Sequence, residues 1–600
     1  MKGNKKTSGS NANGRRNNSS SGSKGYRTTN RRNNRGPKFS STDSFEEIRD
    51  KATNDVSWYS KSPELLRDWA SYPFSFSLGL PINLQNPILE LASSNADKHV
   101  VPGFTIQWLT PSIGYSVDAK SAVNIAAQSI YTDIRQRQSG GKNYDPVDLM
   151  LYLMAMSSVY SAINWLQRVY AIATGSFSQQ DRYLPYAILA AEGIDAGSIQ
   201  ASPSRFRGAL NLIINKVASF PVPNNISVFP RQAFLYQNVY AEGDSPKDQM
   251  YMYSPYAFYK YALDANNAGS LVPVMTPSAI KALTLNKPSN ISQDWTYATG
   301  DDLIQFVNDL VDAMFYEGDI GTMGGDILRA YGTNVIKMVP LEENYRITPV
   351  FDIVVLEQMA NATVLSTEDR NPGTLEYEAV VVQNAITQVN DNLPESPYLV
   401  SSNQFQLIYG DSAGNSDAHA EAHAYSQRSI QENKFLTTST KFTDAGLIME
   451  NSRLMLGLAS WTKDPDKSIA VVQLYSGTEV VVAQRYYRYD ISSPSGRLFL
   501  ASSPTSYVEL VQTPDSLAYA SFNPVELVRS LGTREAFRFC SPIHFLVMRT
   551  TGTGTYQFAE GLLNQDIDNY TLLHNGDIQN LHEVALLSLF NVPVQGKIGD

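Results

Sequence analysis

The chain is 600 residues long, 42% hydrophobic, and carries a formal charge of −10. This is a globular composition with room for two or more domains of substantial core. The single cysteine, Cys540, excludes an internal disulfide framework and fits a reducing compartment, and the basic start MKGNKKTSGS lacks the apolar run that a secretory signal needs.

The net charge conceals two unlike parts. Residues 1–38 hold five lysines and six arginines (Lys2, Lys5, Lys6, Arg15, Arg16, Lys24, Arg27, Arg31, Arg32, Arg35 and Lys38), and the first acid is Asp43. Without these eleven, 37 basic residues face 58 acidic ones and the remainder carries about −21. The opening stretch is dominated by Lys, Arg, Asn, Ser and Gly, which bury too little apolar surface to offset the entropy of ordering. Residues 1–53 are therefore expected to form a disordered basic arm. Cations spaced along an acid-free tether suit a polyanion: each neutralised phosphate releases counterions, and eleven engaged together give a log–log salt slope of roughly −8 to −10. Tyr26 is the one aromatic residue before Phe39, so base stacking and sequence preference are not expected. A localisation signal, a solubility tail and a membrane-surface patch are blander readings. Scarcity of apolar residues disfavours an amphipathic anchor, and nucleic acid is the favoured partner.

Trp58 and Tyr59, in NDVSWY, mark the start of the folded body. Ser62-Pro63-Glu64 opens a short helix carrying Leu65, Leu66 and Trp69, and residues 72–113 read as extended chain suited to lying along another subunit. Residues 120–138 predict a helix with Val123, Ala126, Ala127, Ile130 and Ile134 on one face. Then comes the longest uninterrupted stretch, residues 145–174, DPVDLMLYLMAMSSVYSAINWLQRVYAIAT. Asp145 suits the cap, Pro146 the first helical position and Gly175 the exit. A helix of that length reaches roughly 45 Å. Its apolar circumference would also suit a membrane, but Ser157, Ser161, Asn164 and Arg168 fall in one narrow arc, with Gln167 beside them and Asp148 near the start. Asn, Gln and Arg are costly in lipid, whereas one thin polar edge is ordinary for a buried helix. The spacing predicts a central core helix with neighbours on nearly all sides, and no stable membrane insertion.

Ser202-Pro203 opens another helix, with Phe206, Leu210, Ile213, Ile214 and Val217 inward, and residues 220–299, thick with Pro, Tyr and Asn, read as loop-rich and exposed. Gly300-Asp301-Asp302 matches the metal-binding GDD of viral RNA polymerases, which works in a hairpin turn. Here LIQFVNDLVDAMF follows, with Leu303, Phe306, Val307, Leu310 and Met314 on one helical face, so Thr299 or Asp301 acting as a cap explains the residues. From 373 to 502 strand signals dominate: 468–475, a Ser476-Gly477 turn and 478–489 read as a hairpin, with 497–501 as a third strand. Gly410-Asp411-Ser412-Ala413-Gly414 matches G-x-S-x-G after a strand at 405–409, but NSDAHAEAHA follows where a nucleophile elbow requires a helix. Asp417, His419, Glu421 and His423 would share one face of a strand, where Zn²⁺ or Ca²⁺ binding competes with plain pH-sensitive surface charge. Cys540 reads as a small core residue. Asn523-Pro524 opens a late helix, and Asp577 caps a last one with Ile578, Leu581, Ala585 and Leu589 inward. There is no P-loop, dinucleotide fingerprint or CxxC pair, and no catalytic, cofactor or metal residue is assigned.

A basic arm, a helical body around one long helix, a strand-rich insertion and no credible active site describe a viral coat subunit. The chain resembles the capsid proteins of the picobirnaviruses, small double-stranded RNA viruses. The resemblance lies in the arm, NDVSWYSKSPEL, SYPFSFSLGLP, the helix from Asp145, and Gly325-Asp326-Ile327-Leu328-Arg329-Ala330-Tyr331-Gly332. It implies dimers that close an icosahedral shell, the arm inside on the RNA and the insertion outside, with N-terminal segments exchanged between partners and the arm open to cleavage. The expected fold is α+β: a disordered basic arm (1–53), a predominantly helical shell domain around the long helix (54–364), a strand-rich protruding region (365–502) and a C-terminal helical return (503–600). The expected function is that of a structural, non-enzymatic capsid protein of the virion, assembled in the host cytoplasm. The alternatives are a nucleoprotein that coats RNA without closing a shell, or an enzyme using Gly300-Asp301-Asp302 or Ser412.

Overall fold

The structure, a computed structural model, describes nearly all of residues 104–137, 144–175, 184–243, 249–284 and 297–364, parts of 381–592, and short pieces before 104. Residues Met1–Phe74 form a unit of their own. Of that unit Ser62 and Glu64 are described, both exposed and Glu64 helical, where Ser62-Pro63 was expected to open a helix. The eleven arm cations lie outside the described residues.

The second unit, Ser75–Asp600, begins with the short pair β1 (Pro81–Asn83) and β2 (Lys98–Val100), then β3 (Phe104–Pro111). Six helices follow: α1 (Ala122–Arg137), α2 (Pro146–Ala173), α3 (Leu184–Ala191), α4 (Ala196–Ala201), α5 (Pro203–Val217) and α6 (Val228–Gln237). Strands β4 (Tyr240–Ala241), β5 (Met250–Pro255), β6 (Ala257–Leu263) and β7 (Gly269–Met275) lead to α7 (Pro277–Thr284), α8 (Gly300–Phe315), α9 (Gly318–Tyr331) and α10 (Ile353–Ala360). The later chain contributes β8 (Val381–Gln383), β9 (Ile386–Val389), β10 (Tyr398–Ser401), β11 (Gln404–Ile408), β12 (Lys434–Thr438), α11 (Ala445–Asn451), β13 (Gly457–Asp464), β14 (Ile469–Tyr475), β15 (Glu479–Tyr489) and β16 (Leu498–Ala501). It closes with β17 (Ile543–Thr550), β18 (Tyr556–Leu563), β19 (Asn569–Leu573) and α12 (Asn575–Leu589).

Helix α2 is the axis of the body. Every residue from Leu149 to Ala173 is buried, and α1, α3, α4, α5, α6, α8, α9 and strands β5, β6 and β7 all pack on it. It is the one described helix long and apolar enough to cross a membrane, and protein covers it throughout. Asp145 and Asp148 close a capping box at its start, Pro146 takes the first helical position, and Gly175 leaves with φ +95°. Burying each of its Leu, Ile or Met side chains is worth about 1.5–3 kcal/mol. The large apolar core that grows around α2 also contains Phe206, Leu210, Ile213, Ile214 and Val217 of α5, the residues that the spacing turns inward.

Two four-stranded sheets are antiparallel throughout, in the orders β10-β9-β7-β6 and β13-β14-β11-β8. The third, β16-β15-β3-β5-β4, is mixed: β3 runs parallel to β5 and antiparallel to β15. Strand β3 is buried along its whole length inside this sheet, so the last part of the stretch read as chain for a neighbouring subunit belongs to the core of its own. The expected hairpin across Ser476-Gly477 is not formed. β14 and β15 lie in different sheets, and the two residues carry the chain from one to the other, fastened where Ser112 donates its N–H to the Thr478 carbonyl at 2.8 Å and Ser112 Oγ meets Ser476 Oγ at 3.0 Å. Glu479 to Gln484 are all buried, and the apolar run Val480 to Ala483 within them suits a strand covered on both faces better than a two-stranded ribbon. The third strand of that reading, β16, does pair with β15.

Residues 220–299 also depart from the loop-rich reading. They hold α6, four strands and α7, and Tyr236, Tyr240, Tyr251, Tyr253 and Tyr259 are among the largest fully buried side chains. Pro255 ends β5 and Pro277 starts α7, while Pro273 sits inside β7 opposite Tyr259. Residues 332–350 are the irregular part of the body: an extended strap fixed by Asn211 against Leu341, by Gln167 on the Val339 carbonyl at 3.4 Å, and by Val350 bridged to Tyr240.

Candidate functional site

The polar groups of the body are collected into buried hubs, and the first sits on α2 itself. Arg168, fully buried, pairs with Glu192, also fully buried, and donates from Nη1 to the Tyr253 carbonyl at 2.6 Å. Glu192 Oε1 also accepts from Ser254 Oγ at 2.5 Å and from Trp165 Nε1 at 3.4 Å. Burial pulls the Arg168 guanidinium down from its ordinary range while Glu192 works against that pull. The pair is positioned by the exit from α3: Gly193 has φ +78°, and a Cβ there would lie 2.3 Å from the Ser278 carbonyl oxygen, so only glycine turns the chain at this point. Elsewhere on the predicted polar arc, Ser157 donates to Gln232 Oε1 and Asn164 to the Tyr160 carbonyl.

Two further hubs tie the later chain to the body, and a third ties distant parts of the later chain to each other. Arg231 of α6 meets both oxygens of Glu479 at the start of β15, at 2.9 Å from Nη2, with Gln358 Oε1 beside it at 3.4 Å. Burial opposes the Arg231 charge, but Glu479 outweighs it and the guanidinium is held above its usual range. Glu357 of α10 accepts from Thr438 Oγ1 at 2.8 Å, from Ser439 through both N–H and hydroxyl, and from Asn451 Nδ2 at 2.9 Å. At the third hub Arg453 donates to the carbonyls of Met449 (2.6 Å) and Leu581 (3.1 Å), and His582 of α12 bonds the Met455 carbonyl through Nε2 at 2.7 Å. A carbonyl can only accept, so Nε2 carries a proton. Burial and then the Arg453 charge push His582 down to about 3, and burial, with Arg231 adding to it, pushes Arg453 down to about 9.

The tempting motifs have structural employment where they are described. Thr299 is the N-cap of α8, accepting from the Asp302 N–H, while Asp302 accepts the Thr299 N–H at 2.8 Å; Asp301 forms an exposed pair with Arg205 at 2.8 Å. The two carboxylates thus serve a helix start. Asp577 is not itself the cap of α12; it stands three residues in and accepts the N–H of the capping residue, His574, at 2.9 Å, as the acid of a capping box does. Ser412, the Asp417/His419/Glu421/His423 cluster, Asn523-Pro524 and Cys540 lie outside the described residues. Among the described residues no three His, Cys, Asp or Glu side chains come together to hold a metal ion. Glu192, Arg231, Glu357, Glu479, Arg453 and His582 went unread in the sequence. Their signal was an isolated ionisable residue inside an apolar run, as in LAAEGI, VVLEQM and TEVVVA.

Among the described residues the buried ionisable groups hold segments together, and the comparisons with known proteins all point to viral shells. The chain belongs to the picobirnavirus capsid protein family: the family model described as "Picobirnavirus, Capsid protein" matches residues 58–518. It is 25% identical over 557 residues to the capsid protein precursor of a human picobirnavirus (strain Human/Thailand/Hy005102/-), covering 90% of this chain and 92% of that one. The fold is that of the crystallographic picobirnavirus capsid, with a TM-score of 0.65 at 18% identity over 90% of this chain and all of the other. It is thus a capsid protein of a double-stranded RNA virus, a component of the virion that assembles with itself, in a family of structural proteins.

Proposed function

We propose that the chain assembles as homodimers into a closed icosahedral shell in the host cytoplasm, and that its arm contacts the packaged RNA without sequence preference. The observation that carries the RNA assignment is the charge division: eleven cations and no acid in residues 1–38, against about −21 on the remainder. An acidic lining repels RNA unless flexible cations intervene, and many arms enclosed in one particle act at high effective concentration. Duplex RNA hides its bases in a deep groove, so phosphate charge and shape are what such an arm grips. Lys2, Lys5, Lys6, Arg15, Arg16, Lys24, Arg27, Arg31, Arg32, Arg35 and Lys38 are the residues assigned to this contact.

The test is deletion of residues 1–38. Particles are expected still to close but to lose most of their nucleic acid, read from the ratio of absorbance at 260 and 280 nm after nuclease treatment. Equal packaging by intact and deleted forms at moderate salt overturns the arm assignment. Negative-stain microscopy separates closed shells from an open RNA-coating nucleoprotein.

A further inference from the structure

The three most exposed large apolar side chains among the described residues are Tyr316, Leu212 and Val339, at 84%, 72% and 70%. They share one face. Leu212 stands one helical turn before Lys216 on α5, and the Lys216 ammonium lies 5.3 Å over the ring of half-exposed Phe315, at the end of α8. Phe315 meets Tyr316 edge-on at 6.0 Å between ring centroids. On the other side of Leu212, its neighbour Asn211 bonds Leu341 twice, with its amide donating to the Leu341 carbonyl at 3.1 Å and its oxygen accepting the Leu341 N–H at 2.7 Å. That places Val339 of the strap beside α5. The aromatic end is anchored, since Phe315 also packs on buried Phe220 at 6.1 Å. Singly exposed apolar residues are commonplace, but the three most exposed ones gathered around one helix, with the aromatic end anchored in the core, mark a contact surface.

We propose that this face, built by α5, the end of α8 and the strap, is a contact between copies of this chain in the assembled shell. Charge selects the occupant. The body carries about −21, so most of its surface repels its own kind. This face is bordered instead by three ion pairs of opposite sign: Arg205–Asp301 at 2.8 Å, Arg207–Glu343 at 3.3 Å, and Lys216–Asp312. A margin that presents acid and base side by side is complementary to itself, as a contact between identical surfaces requires, and offers little to a polyanion.

The proposal rests on self-assembly, and its test reads the two separately. Hydroxyl-radical footprinting of the full wild-type chain compares dissociated subunits with assembled material. Tyr316 and Leu212 are expected to be oxidised freely in the former and protected about tenfold in the latter; equal oxidation in both overturns the proposal. L212E and Y316S, at side chains outside the core, are expected to raise the concentration needed for assembly about tenfold each, the scale of losing a central contact, with the thermal melt of the subunit unchanged. Variants that close into spheres at the wild-type concentration overturn it. A wild type that stops at small oligomers removes the closed-shell reading, and the same footprint on those oligomers still decides the surface; a wild type that is monomeric throughout removes both.

Discussion

The surroundings of α2 and the seam where the later chain docks are both buried, yet they are held by different means. Around α2 the cohesion is apolar, with one ion pair, Arg168–Glu192, sunk within it. At the seam, Glu357, Arg231, Glu479, Arg453 and His582 hold segments far apart in sequence through directed hydrogen bonds. The apolar centre is non-directional and tolerates repacking, whereas the seam is specific and fails when a single acceptor is removed. The difference assigns bulk stability to the first and correct closure of the chain to the second.

The largest effect is expected at the centre. E192A leaves Arg168 charged and unpaired in the interior and should destabilise the dissociated subunit by about 3–5 kcal/mol in denaturant unfolding. An apolar replacement of both partners, R168M with E192L, should recover most of that loss. A double variant no better than E192A would show that the pair holds the fold through more than its own desolvation. Next comes the seam: E357A strands the donors of Thr438, Ser439 and Asn451 and should cost about 2–4 kcal/mol. Its amide exchange should speed up in residues 434–439 while α2 stays protected; uniform loss across both regions would erase the distinction.

Acid sharpens the comparison further. His582 titrates at about 3 in the fold against an ordinary 6.5, so between those values the unfolded chain takes up a proton that the folded one refuses. Stability therefore falls as pH drops from about 6.5 toward 3, by up to about 1.4 kcal/mol per pH unit, and is unaffected by this residue above that window. H582Q should remove close to one proton from the uptake on unfolding, measured as the slope of stability against pH between 6 and 4. The smallest effect belongs to α8. T299A should cost about 1 kcal/mol in thermal unfolding through loss of the cap, and D301N, at an exposed pair, well under that. A reversal of that order would restore Gly300-Asp301-Asp302 as something more than a helix start.

What was legible in the sequence follows the same division. Helices α1, α2, α5 and α8 were readable because an apolar period with a cap at one end needs only local information. The docking of β15 beside β3 was not, since the partners are separated by most of the chain and the local signal, Ser-Gly between two strand-like runs, is the same for a hairpin and for a change of sheet. In 220–299 tyrosine and proline give the pattern of an exposed loop. Tyr251 and Tyr253 are instead packed inside a sheet, where the apolar body of the ring outweighs its hydroxyl. The hubs stayed hidden because a lone acid in an apolar run does not name its partner.

The mixed sheet also sets a timetable. β3 gains β5 as a neighbour early, but its other edge waits for β15, with Pro111 pairing Glu479, and about 370 residues must be made in between. At synthesis rates of about 5–20 residues per second that is roughly 20–70 seconds, during which a hydrophobic strand stands with its backbone groups unmatched.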